Sequence, residues 1–85
     1  MELKEIFEQA VANSKTLSQK PDNETLLNLY SLYKQATEGD STGEAPSNPF
    51  DFVAKAKYNA WQEQKGKSKD AAMQEYIDLV TKLKG

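Results

Sequence analysis

The chain has 85 residues, no cysteine, no histidine and a formal net charge of −2. One domain with a small core is expected, without disulfide staples and without the commonest general base. The acidic balance argues against a general affinity for nucleic acid or anionic membrane, so an anionic ligand would need a local cluster of lysines.

The first segment, from about Leu3 to Thr16, repeats apolar residues at steps of three and four: Leu3, Ile6, Phe7, Ala10, Val11 and Ser14 share one helical face. Its start is charged, Met1-Glu2-Leu3-Lys4-Glu5, and does not read as a secretory signal. Lys20-Pro21-Asp22 then breaks the chain, because proline drives the preceding residue out of helical geometry and aspartate caps the next helix.

The second helix is expected from Asn23 to about Glu38. Leu26, Leu27, Leu29, Tyr30, Leu32, Tyr33 and Ala36 are too many apolar residues for one stripe, so this helix must be covered on more than one side. In so small a protein the second cover can be a ligand or a partner helix. Tyr30, Tyr33 and Lys34 stand at i, i+3 and i+4 on one face, where two phenols and an ammonium suit a purine nucleotide with phosphates. The same pattern is also compatible with ordinary core aromatics beside a solvated lysine. Asn23-Glu24-Thr25 fits a glycosylation sequon but lacks an export signal to go with it.

Gly39 is placed to stop the second helix. Asp40 to Pro49, with Pro46 and Pro49, is the longest loop. A third helix is expected from about Asp51 to Lys65, with Phe52, Ala56, Tyr58, Ala60 and Trp61 as apolar positions. Gly66-Lys67-Ser68 ends like a phosphate-binding P-loop. The first glycine of that motif is replaced by Trp61 and no strand precedes it, so the segment reads as a helix stop and a helix cap. The fourth helix then buries Ala72, Met73, Tyr76, Ile77, Val80 and Leu83. Strand-type alternation is absent and no apolar run approaches the roughly 20 residues that cross a bilayer. The fold class is all-α, four helices, in a single domain over residues 1–85.

Three stretches taken together resemble the acyl-CoA-binding protein family. They are Tyr30-Ser31-Leu32-Tyr33-Lys34-Gln35-Ala36-Thr37-Glu38-Gly39-Asp40, the run from Asp51 to Trp61 with Lys55-Ala56-Lys57, and Lys65-Gly66-Lys67-Ser68. The resemblance covers nearly the whole chain. It implies an up-down-down-up bundle with an open bowl, and a carrier of long-chain acyl-CoA esters that performs no chemistry on them. It further implies that Tyr30, Tyr33 and Lys34 hold the adenine and 3′-phosphate, that Lys57 reaches the phosphate, that Tyr76 contacts the ribose region, and that Lys15 belongs to the site. The acyl groove is expected along Ala10, Ser14, Leu26 and Leu27. Lys4, on the first turn, is expected to lie away from this site.

The chain departs from the family pattern at Val53, often a lysine, and at Tyr58, usually a tryptophan. Its loop from Ser41 to Pro49 is about one residue longer than usual. No catalytic residue, metal or cofactor is expected. Long-chain acyl-CoA is the expected partner, with no nucleic acid and no stable membrane insertion, for a cytoplasmic monomer. The alternatives are a helical interaction module and a carboxylate-based acyl-CoA hydrolase.

Overall fold

The computed structural model describes residues 2–41, 48 and 50–84. Four helices are present: α1 (Leu3–Ser14), α2 (Asn23–Glu38), α3 (Phe52–Glu63) and α4 (Lys69–Lys84). Among the described residues there is no strand. Most of the Asp40–Pro49 loop, with Pro46 and Pro49, lies outside the described residues.

Each boundary has a local cause. Asp22 accepts from the Thr25 amide at 2.8 Å, Asp51 from the Ala54 amide at 3.0 Å and Ser68 from the Ala71 amide at 3.1 Å. Each bond occupies one of the amides a helix start leaves unpaired. Gly39 and Gly66 have φ of 81° and 92°, in the left-handed region that L side chains rarely adopt. They end α2 and turn the chain between α3 and α4. Helix α1 stops two residues earlier than its periodicity predicts, as the Ser14 hydroxyl turns back to donate to the Val11 carbonyl at 2.7 Å.

The core is built by three helices. Phe7 and Ala10 of α1, Leu29, Leu32 and Ala36 of α2, and Ala72, Tyr76 and Val80 of α4 form one buried cluster. Helix α4 packs on both α1 and α2, and α3 packs on α2 alone. Lys4 and Phe7 line one space with Lys69 and Met73, and Asn13 lines another with Lys84, so α1 and α4 run parallel. Gln35 meets Lys67 while Asn28 lies beside Asp78, so α2 runs against α4. Leu26 faces Phe52 and Gly39 meets Trp61, so α3 runs parallel to α2. This is the up-down-down-up order.

None of the described residues of α3 is buried. Phe52, expected to pack, is 73% exposed. Instead, a polar seam fastens the C-terminal half of α3. The Trp61 indole donates to the Gly39 carbonyl at 2.9 Å, and Gln62 donates to the Tyr58 hydroxyl at 2.9 Å and to Ser41 at 3.3 Å. The buried Gln35 amide donates to Asp40 and to the Lys67 carbonyl, each at 2.7 Å, and the Gly66 amide donates to Asp40 at 2.8 Å. These bonds tie the end of α2 to the α3–α4 turn.

Candidate ligand-binding site

The spacing of α2 brings Tyr30, Tyr33 and Lys34 to its surface rather than into the core. Tyr33 is 40% exposed and Tyr30 half-buried. Lys34 Nζ lies 5.9 Å from the Tyr30 ring centre and Lys57 Nζ 5.2 Å from it. Two ammonium groups from two helices therefore converge on one aromatic ring, within the distance at which cation–π attraction acts. Lys34 is also 5.7 Å from the Trp61 ring. Its ammonium pairs with Glu38 at 2.7 Å, and that hydrogen bond raises the lysine pKa, keeping it charged. The pair is largely open to water, where such bridges contribute little, so an anionic ligand can displace the carboxylate at small cost.

Tyr30 stands between two hollows. One, of about 310 Å³, is walled by Ser14, Lys15, Tyr30, Tyr33 and Tyr76, with Leu26 and Val11. The other, of about 350 Å³, is a trough between α2 and α3, walled by Asn23, Leu26, Leu27, Tyr30, Phe52, Val53, Ala56 and Lys57. They share Leu26 and Tyr30. The first carries polar groups and a lysine around aromatic rings; the second is predominantly apolar, with Lys57 at the Tyr30 end and Asn23 at the start of α2.

The structure thus brings Lys15, Tyr30, Tyr33 and Tyr76 to one hollow, and Lys34 and Lys57 to the ring at its edge. Tyr76 is nonetheless a core residue, 4% exposed, set edge-on to Phe7 with ring centres 5.1 Å apart. Its hydroxyl donates to Ser14 at 3.1 Å. Burial pushes its phenol pKa up, partly opposed by that bond.

The four residues expected along one acyl groove are brought together only in part. Leu26 lines both the first hollow, with Ser14, and the trough, with Leu27, while Ala10 is buried against α4 beside a separate space walled by Ile77 and Val80. The reason is topological: α1 packs on α4, so its residues do not reach the trough between α2 and α3. Lys4 is closer than its place on the first turn implies. It lines a space of about 490 Å³ with Phe7, Val11, Tyr33 and Met73, on the other side of Tyr33.

Phe7 is the supporting residue that pattern reading missed. It stacks under Tyr33 with centres 6.0 Å apart and rings inclined by 25°. Its periodicity identified it as core and carried no sign of this second contact. Among the described residues no cluster of three or more potential metal ligands occurs.

Comparison with known proteins agrees with this geometry. The family model described as Acyl CoA binding protein matches residues 4–80. The chain is 48% identical over 77 residues to Acyl-CoA-binding protein homolog 1 of Caenorhabditis elegans, covering 91% of this chain and 88% of that protein. It is similar to the crystal structure of Oryza sativa Acyl-CoA-Binding Protein 2, with a TM-score of 0.91 and 43% identity, covering 96% of this chain and 90% of that one. It is also 49% identical to a part of Enoyl-CoA delta isomerase 2 of Rattus norvegicus, over 91% of this chain but 19% of that protein.

Proposed function

The chain belongs to the acyl-CoA-binding protein family, and we propose that it binds long-chain acyl-CoA esters and carries them without converting them. The observation that carries this reading is the position of Tyr30, with Lys34 and Lys57 beside its ring, where a hollow of tyrosine rings edged by Ser14 and Lys15 meets a more apolar trough. The ligand has the same division, a nucleotide with phosphates at one end and an alkyl chain at the other.

In this reading the adenine lies against Tyr30 and Tyr33, and Lys34 and Lys57 hold the 3′-phosphate. Lys15 adds positive charge from the end of α1. Tyr76 shapes the wall from within the core, and its hydroxyl is the group nearest the ribose region. Leu26 and Leu27 shield the first part of the acyl chain from water. Ammonium groups serve as point charges for phosphate, and their hydrogen bonds to an anion are stronger than neutral ones.

Carriage without conversion fits a site built from phenols, lysines and aliphatic groups. A cytoplasmic monomer whose partner is acyl-CoA, rather than nucleic acid or a bilayer, completes the proposal. The match to part of an isomerase is compatible with the domain serving as a binding unit beside a separate enzyme. The test is to mix the protein with palmitoyl-CoA while following Trp61 fluorescence and thioester integrity. Saturable binding with an intact thioester is expected. Steady release of CoA would replace the carrier with a hydrolase, and no response would leave an interaction module.

A further inference from the structure

The two lysines beside the Tyr30 ring are not equivalent. Among the described residues, Lys34 has a carboxylate partner and Lys57 has none. Glu38, one helical turn along α2, brings an oxygen to 2.7 Å from Lys34 Nζ. The Glu38 side chain is 53% exposed and that of Lys34 29%, so the carboxylate is the wetter partner. Two aromatic rings hold the same ammonium from the protein side: Tyr30 of α2 at 5.9 Å and Trp61 of α3 at 5.7 Å. Trp61 is itself fixed, because its indole donates to the Gly39 carbonyl at 2.9 Å. Cation–π attraction therefore keeps Lys34 at the site whether or not Glu38 is paired with it. An anion belonging to the protein already sits on one of the two groups assigned to phosphate.

We infer that Glu38 is a tethered competitor for Lys34, which limits the hold on the ligand's 3′-phosphate and speeds its release. This rests on the acyl-CoA reading of the site, with Lys34 on the phosphate. A phosphate monoester carries nearly two negative charges at neutral pH and a carboxylate one, so the phosphate wins the ammonium when it arrives. Glu38 is then left beside a like charge, and it stands ready to retake Lys34 as the phosphate departs. Both effects oppose binding. An exposed pair at this spacing accounts for a factor of about two, and repulsion across a few ångströms of wet surface adds a similar factor or more. The opposing effect, ordering of Lys34 by Glu38, is small because Tyr30 and Trp61 already place the ammonium. A carrier must surrender its ligand as well as take it up, and a built-in anion at the phosphate end serves that need.

The experiment compares the full chain with Glu38→Gln, and Lys34→Ala with the Lys34→Ala, Glu38→Gln double variant. Glu5→Gln removes the same charge from an exposed position on α1 that lines neither hollow at Tyr30. Dissociation constants and release rates are measured for palmitoyl-CoA and for its 3′-dephospho analogue, with a thermal melt of each variant. Glu38→Gln should tighten palmitoyl-CoA binding about three- to tenfold, mostly through slower release. It should change binding of the dephospho analogue less than about twofold, and the gain should vanish in the Lys34→Ala background. Unchanged or weaker palmitoyl-CoA binding overturns the inference. So does an equal gain for both ligands, an equal gain in Glu5→Gln, or a gain that survives the loss of Lys34. If the unaltered protein binds palmitoyl-CoA no better than the dephospho analogue, the placing of the 3′-phosphate on Lys34 fails first, and the inference with it.

Discussion

At the scale of single residues, the two lysines beside Tyr30 carry the recognition of phosphate. Lys34→Ala and Lys57→Ala should each weaken acyl-CoA binding roughly ten- to hundredfold, since a hydrogen bond to a charged group contributes about 1.5–3 kcal/mol. Added salt should weaken binding of the unaltered protein as well, because the ammonium groups are screened. Lys82→Ala is the suitable control. Lys82 is exposed on α4 and lines none of the hollows around Tyr33, whereas Lys4 does. If the titrations give the three variants the same affinity, phosphate is held elsewhere. Tyr33 poses a separate question, between site and core. Its exposure and its stacking on Phe7 point to the site. Tyr33→Ala should therefore cost affinity while lowering stability by only about 1 kcal/mol, the size of one aromatic pair. A loss of about 3–5 kcal/mol in a melt would mark it as core.

At the scale of helices and the turns between them, the Tyr30–Asp40 stretch divides its labour. Tyr30, Tyr33 and Lys34 face the ligand, and Gln35, Gly39 and Asp40 hold α2 to the turn before α4. Asp40 accepts from the Gly66 amide and from Gln35, and these bonds hold its carboxyl below the ordinary value of 3.8. A depressed carboxyl contributes stability above the unfolded-state pKa and loses it as pH falls through the folded one. Asp40→Asn should thus be less stable than the unaltered protein at neutral pH, and the gap should close below about pH 3.8. Melts of both proteins at neutral and acid pH check this; a gap that is constant with pH would mean the charge is not involved.

The caps at Asp22 and Ser68 and the stops at Gly39 and Gly66 were legible in the sequence because each acts within a few residues. So was the surplus apolar face of α2. Depth was not legible, since periodicity reports which way a side chain points and not what arrives opposite it. That is why Phe52 stays wet when its apolar character read as packing, whereas Tyr76 lies in the core where the periodicity of α4 placed it and also lines the hollow. Ala10 lies away from the trough for a related reason: its place depends on α1 packing against α4, a long-range choice that no local pattern records.

At the scale of the whole molecule, the arrangement joins a core of three helices to a fourth that buries none of its described residues. The uncovered side of α2 becomes a trough, and α1, α2 and α3 bring Lys15, Lys34 and Lys57 around its polar end. In the proposed reading, neither half binds tightly alone. Free CoA keeps the phosphate contacts and loses the chain; a free fatty acid keeps the chain and loses Lys34 and Lys57. The most direct measurement is a calorimetric series of dissociation constants for CoA, palmitate, and C8, C12, C16 and C20 acyl-CoA. Affinity should rise with acyl length and then level off, by at most about 0.8 kcal/mol per buried methylene, with CoA and palmitate both far weaker than palmitoyl-CoA. Equal affinities across CoA and the acyl series would contradict the account and reduce the site to one for a nucleotide.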